Sequence, residues 1–175
     1  LGVGEPDFST PWAARSAAIH SLEAGRTSYT SNRGMSDLRR LISDYSRRWD
    51  HEYDPDTEVL VTTGASEAVD LALRTFISPG DTVAIHQPNY ISYRPGIEFA
   101  GGEPLGVKTS AENDFALTPE ALRAAGADEA DLLVLCYPNN PTGAVMDADE
   151  IRAVAEFCVF FFNDTATTEI YTLVY

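Results

Sequence analysis

The stretch EVLVTTGASEAVDLALRTFISPGDTVAIH, residues 58–86, decides the fold. Val59-Leu60-Val61 reads as a short strand, and residues 65–77 place Ala68, Val69, Ala72, Leu73, Phe76 and Ile77 on one face of a helix. After the turn Ser78-Pro79-Gly80-Asp81, residues 82–86 form another short apolar run. Strand, helix, strand follows, with the helix carrying the apolar face that a crossover lying on a sheet requires.

Outward from this unit the alternation repeats. Gly101-Gly102 precedes a strand over residues 103–107, Thr118-Pro119-Glu120 opens a helix, and residues 132–136 read as a buried strand. Asp147, with Glu150 three residues on, is a capping-box start for a helix over residues 148–157. Upstream, Thr10-Pro11 starts a helix that Gly25 stops. In a second helix Leu38, Leu41, Ile42, Tyr45 and Trp49 recur at helical spacing. Arg39, Arg40, Arg47 and Arg48 fall largely on other faces and are expected to be solvated. The expectation is an α/β fold, three layers αβα with a mostly parallel sheet.

Composition narrows the function classes. The 175 residues are 44% hydrophobic and 22% charged, which fits a globular chain with a core. A net charge of -15, from 27 acidic against 12 basic residues, disfavours phosphate backbones and anionic lipid, so neither nucleic acid nor membrane is an expected partner. The only cysteines, Cys136 and Cys158, offer no disulfide framework or metal-ligand spacing and suggest a reducing, cytoplasmic setting. His20, His51 and His86 are scattered and read as structural or surface residues, with no metal site. The apolar run ending at Phe162 is far short of the ~20 residues of a membrane span, and no signal peptide is visible. A start at Leu1 rather than Met leads us to expect a fragment.

Three strand ends carry candidate chemistry. Thr63-Gly64-Ala65-Ser66 is a tight turn into a helix, whose free N–H groups and positive dipole end suit a phosphate, although small residues there also serve packing and capping. Gln87-Pro88-Asn89-Tyr90 puts an aromatic just past a strand, able to stack on a planar group or simply to pack. Tyr137-Pro138-Asn139-Asn140-Pro141-Thr142-Gly143 follows a buried strand, where ligands of parallel sheets bind, and it is otherwise a turn-forming composition. Together they describe a site for a flat phosphorylated heterocycle.

These segments, with Gly4-Glu5-Pro6-Asp7-Phe8 and Tyr29-Thr30 before Gly34, stand in the order and spacing of a known family. The chain resembles the class I/II pyridoxal-phosphate-dependent aminotransferases over residues 1–157. The resemblance implies a partial large domain of the aspartate aminotransferase-like fold, with the Gly64-Ala65-Ser66 turn on the cofactor phosphate. Tyr90 would stack on the pyridine ring and Asn140 would bond its phenolic oxygen. Tyr29 resembles the tyrosine that reaches the phosphate of a neighbouring subunit, and Gly4 a glycine lying against the substrate, so a homodimer with shared sites is implied. The implied reaction moves an amino group between an amino acid and a 2-oxo acid, with the cofactor ring as electron sink. A lyase or decarboxylase of the same fold, or a noncatalytic cofactor-binding module, are the alternatives.

The pattern fails downstream. Where the family has an aspartate beginning an Asp-Glu-(Ile/Val)-Tyr run, the chain reads Thr168-Glu169-Ile170-Tyr171, so only Tyr171 matches a cofactor-contacting residue. A hydroxyl cannot hold a pyridinium charge as a carboxylate does. The Schiff-base lysine is absent: Lys108 is the only lysine, on a strand well upstream, so the chain as given is expected to be inactive. Residues 160–172 resemble translated sequencing-adapter read-through, and no Gly or Pro follows Gly143. The expected organisation is an N-terminal arm and small-domain segment over residues 1–28, a partial cofactor-binding domain over 29–157, and a foreign tail over 158–175.

Overall fold

A computed structural model describes residues 4–161. They divide into two compact units, up to Thr62 and from Thr63 onward. No helix among the described residues is long and apolar enough to cross a membrane.

The first unit contains α1 (Trp12–Glu23) and α2 (Ser36–Ser46), the latter continued by a 3-10 turn at Arg47–Trp49. The burial of α2 departs from the expected pattern, although Arg40, Arg47 and Arg48 are exposed as expected and Ile42 is half-buried. Leu38, Leu41, Tyr45 and Trp49 are exposed, whereas Arg39, Ser43 and Ser46 are buried. The cause is a loop full of carbonyl groups beside the helix. The Arg39 guanidinium donates to the Pro55 carbonyl and pairs with Asp56 at 3.3 Å, and Ser43 Oγ donates to the Tyr53 carbonyl at 2.5 Å. Buried carbonyls need donors, and an apolar face could not supply them.

Val59-Leu60-Val61 forms no strand either. The Val61 N–H donates to the Arg33 carbonyl at 3.1 Å, so this backbone pairs with a loop. Gly34 makes that approach possible: its φ is +88°, and a Cβ there would lie 2.6 Å from Val61 Cβ.

The second unit holds the sheet. Three parallel strands, β1 (Thr82–Gln87), β2 (Glu103–Lys108) and β3 (Leu132–Val134), lie in the order β2-β1-β3, with Thr82 opposite Glu103 and Val83 opposite Leu132. Helices cover both faces. On one, Val83 and Ile85 pack with Val69, Leu73 and Ile77 around α3 (Ala65–Phe76), and with Tyr93 and Ile97 of α4 (Tyr93–Ala100). On the other, Ala84 and Val107 pack with Leu122 of α5 (Pro119–Ala124) and with Val154 and Phe157 of α6 (Ala148–Phe161). The expected three-layer α/β arrangement is present.

The helix α4 is an addition to the sequence reading. Its apolar positions are few, but Tyr93 and Ile97 are one turn apart and buried, Arg94 and Glu98 pair at 3.1 Å, and Gly101 ends it with φ at +93°. The capping box at α6 is as expected. Asp147 Oδ1 accepts the Asp149 and Glu150 N–H groups at 2.9 Å, and Glu150 Oε2 accepts the Asp147 N–H at 2.8 Å.

The winding makes a topological switch point between β1 and β3. From β1 the chain crosses to β2 over the α4 face, then returns past β1 to β3 over the α5 face, reversing direction and changing face together. Adjacent strands β1 and β3 therefore send their following helices to opposite sides. Their loops diverge beyond the carboxyl ends of the strands, the usual ligand position in such sheets.

Candidate functional site

The start of α3 is built on Gly64, whose φ of 85° and ψ of 169° fall in a region essentially reserved for glycine. This conformation turns the chain abruptly into α3 and leaves Gly64, Ala65 and Ser66 exposed at the positive end of the helix. Below them Glu67 turns back to accept the Thr63 N–H.

Ser66 Oγ lies 3.3 Å from Tyr90 Oη, which joins the helix start to the loop after β1. The Tyr90 ring stands edge-on to the buried Tyr93, with centroids 5.6 Å apart and planes at 85°. Hydroxyls of Ser66 and Ser92 hold the Tyr90 phenol below its ordinary pKa. Two of the three sequence-derived segments thus meet.

The third is brought in by a residue that sequence reasoning passed over. Asn140 is exposed, whereas Asn139 is buried. Asn139 Nδ2 donates to the Pro88 carbonyl at 3.1 Å and to Thr142 Oγ1 at 2.9 Å. Its backbone closes the turn, accepting the Gly143 N–H at 2.7 Å and donating to the Ala144 carbonyl at 2.8 Å. Two adjacent asparagines carry the same chemistry, and only the direction of the turn tells which points inward.

Beneath both loops, His86 stacks on Tyr137, with centroids 5.0 Å apart and planes at 25°. Tyr137 Oη is held in turn by the Phe115 carbonyl at 2.7 Å. Burial pushes the His86 pKa down, opposed by the backbones of Pro88 and Cys136, and pushes the Tyr137 phenol up. His20 and His51 are exposed.

Gly4 and Tyr29 belong to the first unit and are exposed there. Tyr171 and Thr168 lie outside the described residues. Lys108 is exposed at the end of β2, with β1 between that strand and β3. Among the described residues no group of three or more His, Cys, Asp or Glu side chains could hold a metal ion.

Comparison with known proteins identifies the family. The family model "Aminotransferase class I and II" matches residues 1–163. A Bacillus subtilis protein provisionally named aminotransferase YugH is 46% identical over 158 residues, 90% of this chain and 41% of that protein. The aspartate aminotransferase of Geobacillus stearothermophilus is 35% identical over 172 residues, 98% of this chain and 44% of it. The crystal structure of the aromatic aminotransferase from Pyrococcus horikoshii matches with a TM-score of 0.87 and 36% identity, over 92% of this chain and 43% of that one. The chain spans about two fifths of the length of these relatives. Its sheet, its helix-start turn and its paired strand-end loops, with the match along nearly the whole sequence, place the chain in the class I and II aminotransferase family.

Proposed function

We propose that this chain forms part of a pyridoxal-phosphate-dependent aminotransferase that moves an amino group between an amino acid and a 2-oxo acid. The observation that carries the reading is the 3.3 Å approach of Ser66 Oγ to Tyr90 Oη. It sets an anion-suited helix start beside an aromatic ring, a pairing of donors and π-face that fits a flat phosphorylated cofactor.

Within this reading, the N–H groups of Ala65 and Ser66 and the Ser66 hydroxyl bind the phosphate. Tyr90, braced by Tyr93, presents its ring to the cofactor plane, and Asn140 donates its amide to the ring oxygen. Asn139 holds the Asn140 loop in reach of the Pro88 loop. When bound, pyridoxal phosphate supplies an electron sink for charge developing at the amino-acid α-carbon. Tyr29 and Gly4 complete a shared site in a cytoplasmic homodimer, Tyr29 toward the phosphate of the partner copy and Gly4 toward the substrate. The arm at residues 1–28 and the cofactor domain at 29–157 are the corresponding divisions of the chain.

The 175-residue chain itself binds cofactor without turnover on this reading. Its only lysine, Lys108, stands at the end of β2, with β1 between that strand and β3. Equilibrium dialysis of the purified chain should show binding of pyridoxal phosphate, competition by inorganic phosphate, and weaker binding of pyridoxal. No amino transfer should be detected. Equal affinity for pyridoxal and its phosphate, or binding unaffected by Ser66→Asp, would sink the assignment of the phosphate cradle.

A further inference from the structure

His86 has no role in the reading above, yet it sits where the two site loops diverge. His86 is 1% exposed, and neither Nδ1 nor Nε2 makes a hydrogen bond of ordinary geometry, although the backbones of Pro88 and Cys136 lie near enough to favour its charged form in part. A phenyl ring would make the same stack on Tyr137 without two unmet polar atoms, so packing alone does not account for an imidazole. Two ties bridge the loops after β1 and β3: the His86–Tyr137 stack and the Asn139–Pro88 hydrogen bond. A third contact, from Asn89 Nδ2 to the His86 carbonyl at 2.5 Å, fixes the start of the Pro88 loop to the same residue.

We propose that His86 is a positioning residue: its stack on Tyr137 sets the Asn139-Asn140 loop against the Pro88 loop, and it makes that placement sensitive to acid. As far as cofactor binding is concerned, the inference rests on the function proposed above. The loop geometry does not.

The physical reason lies in what surrounds the ring. The neighbouring elements carry Lys108 on β2, Glu120 and Arg123 on α5, Glu150 on α6, and the Tyr137 phenol and Cys136 thiol beyond β3. None of their charges displaces the His86 ionisation, which responds to burial and to the backbones of Pro88 and Cys136. A protonated ring would thus be a buried charge without a counterion. The folded chain holds His86 neutral, whereas an open or unfolded chain takes up a proton near the ordinary value of about 6.5. The stack is therefore fully stable above that value and weakens as the pH falls below it toward the depressed folded value.

Amide hydrogen exchange and histidine NMR titration test this without cofactor. The chain has three histidines, so the His86 signal is the one that remains in the double variant His20→Gln/His51→Gln. It should titrate below the ordinary histidine value of about 6.5. After correction for intrinsic rates, exchange at the Asn139 and Gly143 amides should accelerate by up to about tenfold at one pH unit below the ordinary histidine value. His86→Phe, which keeps a stacking ring, should abolish that acceleration, and His86→Ala should raise exchange at every pH. In a parallel arm, acid should weaken pyridoxal phosphate binding more in the parent chain than in His86→Phe.

The proposal is overturned if the parent chain and His86→Phe share one exchange profile, or if His86→Ala leaves neutral-pH protection intact. If His86→Phe does not fold, the parent titration decides: a His86 midpoint at or above the ordinary value of about 6.5 overturns the proposal. Absence of cofactor binding in any variant counts against the aminotransferase reading, while the exchange results still decide the role of His86.

Discussion

Asn139 Nδ2 donates to the Pro88 carbonyl at 3.1 Å, joining residues 51 positions apart across the point where the chain changes faces of the sheet. Removing the amide breaks this bond and the one to Thr142 Oγ1, in a place closed to water. Asn139→Ala should therefore lower the unfolding free energy by about 1–3 kcal/mol. Urea denaturation of the two chains measures it. A loss within the error of the method would show that the loops do not depend on this tie.

Asn140 should behave in the opposite way. Its side chain is exposed and makes no hydrogen bond among the described residues, so Asn140→Ala should change stability by no more than about 0.5 kcal/mol. In the proposed role it bonds a charged ring system, and its loss should weaken pyridoxal phosphate binding by about 1.5–3 kcal/mol, roughly tenfold or more. Unfolding and dialysis on the same preparation separate the two effects. Unchanged affinity would reduce Asn140 to a turn former.

Gly64→Ala tests the backbone of the helix start. Nothing lies within 4 Å of an added Cβ, so no clash arises, but φ of 85° with ψ of 169° is strained for alanine. The expected cost is about 1–3 kcal/mol, through strain alone. If the chain relieves that strain by turning differently, the Ser66–Tyr90 approach is lost and phosphate affinity falls with it. A variant as stable as the parent, with unchanged affinity, would contradict the strained turn.

Cys158 provides a check on the α6 face. Burial pushes its thiol up to about 11, from an ordinary value near 9. At mildly alkaline pH its thiolate fraction, and with it the alkylation rate, should be about a hundredfold below that of an ordinary thiol. Mass spectrometry after timed iodoacetamide treatment would follow the modification of Cys158 in the folded chain. Modification as fast as in urea would mean that this end of α6 is open to solvent.

Much of the second unit was legible in its order of residues. The apolar face of α3, the strands at Thr82–Gln87 and Glu103–Lys108, and the box of Asp147 and Glu150 are local patterns, set by spacings of a few residues. The placement of Tyr90 and Asn140 on loops beyond strands was legible for the same reason. Local patterns do not state what a surface will meet. Leu41 and Trp49 read as members of an apolar stripe, yet it is Arg39 and Ser43 that are buried, because the carbonyls of Pro55 and Tyr53 lie against them. Val59-Leu60-Val61 has strand composition, but pairing needs a second strand, and its neighbour is the loop at Arg33. The choice between Asn139 and Asn140 likewise depended on the Pro88 carbonyl, and the isolation of His86 on the elements packed around it. The sequence alone determined most of the second unit's elements and which chemistry their ends carry, because helix and strand periodicities are short-range. Only the tertiary structure decided which polar atom is buried and what it faces, because burial and hydrogen bonding depend on residues brought together from far apart in the chain.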